Sequence, residues 1–286
     1  MRAVQVSAPV CYHGEGPCWS PSWGGLRFVD MLAGDVMTLL GDGAVRRTPT
    51  GSAVTACIRP RTSGGAIVAL ERGFALAAEE DLSDLTPLPE VFSDKGIRFN
   101  EGGCDPDGRF YCGTMAYDRT EGAATVYRLD PGEQHATPVI TDATISNGFA
   151  FSPDGATAYY IDTPTGRIDA FDYSRERGLT NRHRHVEVPE DDGRPDGLTV
   201  DADGRIWVAL NGGGKVRCYG TDGRVLEQVD LPVRLVTACT FGGDDLQTLF
   251  ITTSRENLPD DVDPEAGAVF ALGLGVRGLP VLPFAG

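Results

Sequence analysis

No apolar run in the 286 residues approaches the roughly 20 needed to cross a bilayer, and the opening stretch MRAVQVSAPVCYHGEGP lacks the long apolar segment of a signal peptide. The chain therefore reads as cytoplasmic, with no membrane partner. Basic residues are in deficit: 25 lysines and arginines stand against 41 aspartates and glutamates, a formal charge of −16. Such a field repels nucleic acid and anionic surfaces, so a phosphate-backbone ligand is excluded. The seven cysteines include no C-x-x-C pair and are odd in number, which fits neither a disulfide framework nor a zinc cluster. They read as reduced, mostly buried thiols; Cys104 and Cys112 flank one turn and are spaced to face each other across a hairpin. There is no G-x-S-x-G elbow and no H-E-x-x-H helix, so serine-hydrolase and zincin chemistry have no support. No long 3.6-residue apolar period is present either.

What is present is turns. A hydrophobic content of 41% supplies a sizeable core, and a common frame recurs through it: a short β-rich run, an Asp/Gly turn, then a second β-rich run. It appears in CWSPSWGGLRFVDMLAGDVMTLL, CIRPRTSGGAIVALERGFALA, CDPDGRFYCGTM, AFSPDGATAYYIDTPTGRIDAFDYS, LTVDADGRIWVALNGGGKVRCYG and CTFGGDDLQTLFITTSREN. The post-turn segments AYYID, RIWVAL and TLFITT are β-branched and aromatic, and too short for helices. Six units with a period of about 40 to 50 residues, each offering four short strands, predict an all-β fold: a six-bladed β-propeller spanning 1–286 as a single domain. A sandwich or barrel does not explain the period.

Equivalent units should hold equivalent roles. Counting back seven residues from the first turn residue of each unit (Ser22, Thr62, Asp107, Asp154, Asp203 and Asp244) reaches Glu15, Thr55, Asn100, Asn147, Asp196 and Thr237. Every one carries a side-chain oxygen, at the start of the strand that lines a propeller's central channel. Glycine follows Glu15, Asn147 and Asp196 directly, allowing the backbone to crowd an axis or a ligand. Two carboxylates and an amide oxygen suit one hard or borderline divalent cation, among calcium, magnesium, manganese, zinc and iron(II). Taken singly, each residue equally reads as an Asx-type cap at a blade entrance; a glutamate in the first unit is not needed for capping.

The ordered motifs GEGPCW, RFNEGGCDPDGRFYCGTM, ISNGFAFSPDG and RPDGLTVDADGRIWVA run over nearly the whole chain. In these the sequence resembles the gluconolactonase/regucalcin, or senescence marker protein, family. The resemblance implies a six-bladed propeller with one divalent metal in its channel and hydrolysis of sugar lactones. It implies Glu15, Asn147 and Asp196 as metal ligands, Asp196 also as general base, and Arg98 and Asn100 as substrate contacts. Two positions depart from the family pattern. Glu101-Gly102-Gly103 stands where Asp-Gly-Lys is usual, and Asp118, a shorter carboxylate, stands where some members place a substrate-contacting glutamate. Both Glu101 and Asp118 join the candidate substrate-binding set.

Three functions compete. The first is a metal-dependent sugar lactonase, with a small-molecule sugar lactone as its partner. The second is hydrolysis of other esters or phosphotriesters on the same metal. The third is a non-catalytic calcium-binding propeller, because fold alone does not fix function. Elsewhere, the GGGK segment reads as a hairpin tip, His183 and His185 as exposed surface, and His13 as a candidate for the channel mouth.

Overall fold

The turns are built by their own side chains. In the Asp201–Gly204 turn, Asp201 Oδ1 accepts from the backbone N–H of Asp203 (3.0 Å) and Arg205 (2.9 Å), and Gly204 takes a φ of +80°. Asp105 does the same for Asp107 and Arg109 at 3.0 and 2.9 Å, with Gly108 at +77°. An aspartate that mimics a backbone turn, followed by a residue free to adopt positive φ, reverses the chain with little strain.

These turns link antiparallel strands into six four-stranded sheets. The computed structural model describes residues 1–259 and 261–286. Blade 1 holds Gly14–Ser20, Gly25–Asp30, Asp35–Leu39 and Val45–Pro49. The inner strands of blades 2 to 6 are Thr55–Pro60, Ile97–Cys104, Ser146–Phe151, Arg194–Val200 and Val236–Gly242. Each inner strand neighbours the next around a ring. The fold is a six-bladed β-propeller. One feature departs from six self-contained repeats: the fourth strand of blade 6 is Val4–Gln5, paired with Phe270–Gly273. A ring has no free edges only if its ends are joined, and here the first strand joins the last blade.

The core is divided into wedges between blades rather than gathered at one centre. Ile206, Val208 and Leu210 of blade 5 pack on Tyr159, Ile161 and Ile168 of blade 4; Ile67 and Phe74 of blade 2 pack on Phe99 and Phe110 of blade 3. All seven cysteines are buried and free. Register separates Cys104 from Cys112, because Cys104 lies opposite Phe110 and Cys112 opposite Gly102. The GGGK segment joins Ile206–Asn211 to Lys215–Tyr219 as a hairpin tip. His183 is exposed, while His185 is half-buried, its ring 5.2 Å from that of Tyr159.

After blade 6 the chain crosses the end of the channel. Gly278 bridges Asp201 on blade 5; Phe284 N donates to Pro60 O (2.8 Å) and Ala285 N to Gly108 O (2.9 Å) on blades 2 and 3. Leu279 to Leu282, within this strap, bound a cavity of about 380 Å³ along the channel.

Candidate functional site

Each inner strand carries one residue more than the strand it pairs with, and the register slips at the ring position or directly after it. In blade 1, Glu15 pairs with Val29 and Cys18 with Arg27. In blade 3, Phe99 pairs with Thr114 and Glu101 with Gly113, leaving Asn100 over. The same slip falls directly after Thr55, across Asn147 and Asp196 with the glycines that follow them, and at Thr237. A bulge of this kind re-aims a side chain that would otherwise lie on the face of the sheet. The glycines then have a different use from the one expected. A Cβ on Gly148 would meet Asp196 O and Leu198 N at 2.8 Å, and one on Gly197 would meet Ala238 Cβ at 2.3 Å. They admit the next blade's backbone rather than a ligand.

All six ring residues are buried, but the ring is not one site. Thr237 Oγ1 donates to Gly14 O at 2.6 Å, stitching blade 6 to blade 1 beside Glu15. Thr55 Oγ1 hydrogen-bonds to Thr50 Oγ1 at 2.9 Å. Both threonines serve the scaffold. Glu15, Asn147 and Asp196 form the polar cluster. Asn147 Nδ2 donates to Thr163 Oγ1 (3.1 Å), which donates to Pro195 O (2.9 Å); this relay fixes the amide so that Oδ1 is left over. Asn211 Nδ2 donates to Asp196 Oδ2 at 3.0 Å. Among the described residues, Asn147 Oδ1 and Asp196 Oδ1 are buried and have no hydrogen-bond partner. Glu15 Oε2 accepts from its neighbour, Gly16 N, at 3.2 Å.

Two orphaned acceptor oxygens beside a buried glutamate are costly unless a cation meets them. Among the described residues no three histidine, cysteine, aspartate or glutamate side chains form a metal cluster; the cluster here is two carboxylates and the Asn147 amide. Carboxylate and amide oxygens fit a hard divalent ion. Without one, burial pushes the Asp196 carboxyl up to about 8, with Glu101 and Glu256 adding to the effect and the Asn211 and Asn147 amides opposing it. Burial also raises Glu15 well above the ordinary carboxylate range, and the nearby Asp196 and Glu101 raise it further.

Arg98 and Asn100 come together as expected, but as a pair. Arg98 Nη1 donates to Asn100 Oδ1 (2.7 Å), Phe99 O (2.9 Å) and Met31 Sδ (3.0 Å), and Asn100 Nδ2 donates to Ser146 O at 2.8 Å. Asn100 therefore holds the guanidinium, which lies 5.9 Å from the centre of the Tyr117 ring. His13 Nδ1 is 2.7 Å from Ser254 Oγ, and Nε2 is 3.8 Å from Glu15 Oε1. Burial, with Arg98 and Arg119 nearby, lowers the imidazole to about 3 and keeps it neutral.

The other two candidates lie apart from this pair. Glu101 is buried with Arg59 at 3.3 Å, and it borders the cavity described above together with Arg59, Phe149 and Leu198. That cavity is mainly apolar, and neither Arg98 nor Asn100 lines it. Asp118 is exposed, and its Oδ1 accepts from Thr120 N (3.0 Å) and Thr120 Oγ1 (2.7 Å), which lowers its carboxyl. Sequence reasoning missed Asn211 and Thr163. A signal for both existed in the repeat. Asn211 pairs with Arg194 as Asp162 pairs with Ser146 and Asp30 with Gly14, and Thr163 follows Asp162 directly.

Fold and site together define a six-bladed propeller with an acid-and-amide cluster at the start of its inner strands. The chain belongs to the SMP-30/gluconolactonase/LRE-like family, whose model matches residues 13–255. It is 37% identical over 270 residues to an uncharacterized protein of Sulfolobus acidocaldarius, covering 93% of each chain. It is 34% identical over 289 residues to regucalcin of Bos taurus, covering 96% of each. Its fold matches a calcium-binding protein, regucalcin, from Agrobacterium tumefaciens str. C58 with a TM-score of 0.90 at 29% identity, covering 99% of this chain and 96% of the other.

Proposed function

We propose that the protein is a metal-dependent hydrolase that opens sugar lactones to their hydroxy acids. The observation that carries the reading is the pair of orphaned oxygens, Asn147 Oδ1 and Asp196 Oδ1, buried beside Glu15. Membership of a family whose description includes gluconolactonase supports it, as does a regucalcin of the same fold described as calcium-binding. Glu15, Asn147 and Asp196 would hold the ion, which when bound supplies Lewis-acid polarisation of a carbonyl and of water.

The protein's own groups do the rest. Asp196 accepts a proton from the attacking water as the water oxygen bonds to the lactone carbonyl carbon. Asn211 orients the carboxylate for this by holding Oδ2. The ring C–O bond then breaks, and the ring oxygen leaves as the alcohol of the opened acid, taking back the proton that Asp196 had accepted. Arg98, held through Nη1 by Asn100, presents its remaining donors to substrate oxygens. We place the reaction in the cytoplasm, where seven unpaired, buried thiols stay reduced.

The test is to strip the protein of metal, reload it with single divalent ions, and assay pentono- and hexonolactones beside a phosphotriester. Lactone turnover that requires the ion and is lost in Asp196→Asn is the expected result. Turnover of neither class by any loaded form overturns the proposal in favour of a binding protein.

A further inference from the structure

Glu256 lies near the end of the sixth repeat unit, away from the ring positions and outside the four ordered family motifs. It lies in the loop after Thr248–Thr253 of blade 6, and that loop is tied to Tyr12. Ser254 Oγ and Arg255 N donate to Tyr12 O at 3.3 and 3.0 Å, and Asn257 N donates to Tyr12 Oη at 3.3 Å. Glu256 N donates to Ser254 Oγ at 2.9 Å. Its carboxylate is thereby directed at the cluster: Oε2 is 3.7 Å from His13 Nδ1, on the ring whose Nε2 is 3.8 Å from Glu15 Oε1. The charge of Glu256 is also close enough to act on both Asp196 and Arg98.

Accessibility separates it from the other acids. The side chain of Glu256 is 29% exposed against 4% for Glu15, and among the described residues no hydrogen bond occupies its carboxylate. Asp118, by contrast, has an oxygen committed to Thr120. An open carboxylate beside His13, at the edge of a polar cluster, is suited to the hydroxyl groups of a neutral ring, because it accepts from O–H donors in charge-assisted bonds.

We infer that Glu256 is the specificity-determining carboxylate of this site, accepting hydrogen bonds from ring hydroxyls of a polyhydroxylated ligand. The inference deepens the lactonase reading and rests on it for the ligand class. A site that hydrogen-bonds hydroxyls discriminates strongly against rings lacking them.

Calorimetry on calcium-loaded protein tests this apart from turnover, with gluconolactam as a non-hydrolysed polyhydroxylated probe and δ-valerolactam as the ring without hydroxyls. Glu256→Ala is expected to weaken gluconolactam binding by about 10- to 100-fold, with Glu256→Gln between it and the parent, while calcium affinity and δ-valerolactam binding stay within about 3-fold. Equal weakening for both lactams, an unchanged gluconolactam affinity, or a parent protein that binds no gluconolactam overturns the inference. Glu256-dependent gluconolactam binding in a protein that hydrolyses no lactone sinks the lactonase reading and leaves the inference standing.

Discussion

Asn211 Nδ2 donates to Asp196 Oδ2 at 3.0 Å, and Oδ1 of the same carboxylate has no hydrogen-bond partner among the described residues. One amide thus decides how the carboxylate is turned and which of its oxygens is open to a ligand. Removing an outer partner of a metal ligand typically costs about 10- to 100-fold in affinity or activity. Asn211→Ala is expected to lower lactone kcat/KM and divalent-ion affinity within that range, while Asn211→Asp loses the donor that orients Asp196, and with it kcat/KM, but keeps ion affinity through the added negative charge. Ion titration of the purified variants checks both.

Asp196→Asn should separate stability from function. Burial opposes the charge of Asp196, and a neutral amide of the same shape removes that opposition. The ion-free variant is expected to unfold at a higher temperature than the ion-free parent, and to gain little on adding the ion. A lower melting temperature for the ion-free variant would show that the carboxylate is stabilising by itself.

The pH dependence follows from the same residue. Its carboxyl is raised from 3.8 to about 8, and Glu15 is raised as well, so between those limits the ion-free folded protein holds protons that the unfolded chain has released. The stability of the ion-free protein therefore falls as pH rises through this window, because the unfolded state binds fewer protons there. Cation binding must expel those protons, so affinity should climb with pH and level off above about 8. Binding heats measured in buffers of different ionisation enthalpy count the protons released, and a count of zero at neutral pH refutes the account.

Gly148→Ala tests the contact between blades 4 and 5. The added Cβ meets Asp196 O and Leu198 N at 2.8 Å, so backbone must move and the orphaned oxygen of Asp196 moves with it. Loss of ion affinity by more than about 10-fold with the fold retained is expected, of the size seen when a ligand's support is disturbed. Unchanged ion binding in a folded Gly148→Ala protein would show that the cluster tolerates the shift.

The repeat made much of this legible. Period and turn chemistry specified six blades, and the seven-residue count placed Glu15, Asn147 and Asp196 together because a propeller puts equal positions on one circle. The bulges were hidden, since an extra residue has no mark of its own in a strand of β-formers. They separate Asn100, which grips Arg98, from its neighbour Glu101, which pairs with Arg59. Asp118 is a turn aspartate whose nearest donors, Thr120 N and Oγ1, lie two residues away; local hydrogen bonds of that kind compete with any ligand. Val4–Gln5 is too short to carry a strand signal and gains its partner only from the far end of the chain.

That last pairing governs the order in which a growing chain becomes competent. Blade 6 needs both Val4–Gln5, which precedes blade 1, and Phe270–Gly273, which follows blade 5, and Thr237 of blade 6 donates to Gly14 O next to Glu15. On the ribosome, blades 1 to 5 can fold as they emerge, as an open arc with bare apolar sheet faces at both ends and Val4–Gln5 unpaired. The circle shuts only after about the last blade has left the exit tunnel, so a truncated product is left with bare faces and an unpaired strand exposed to quality control.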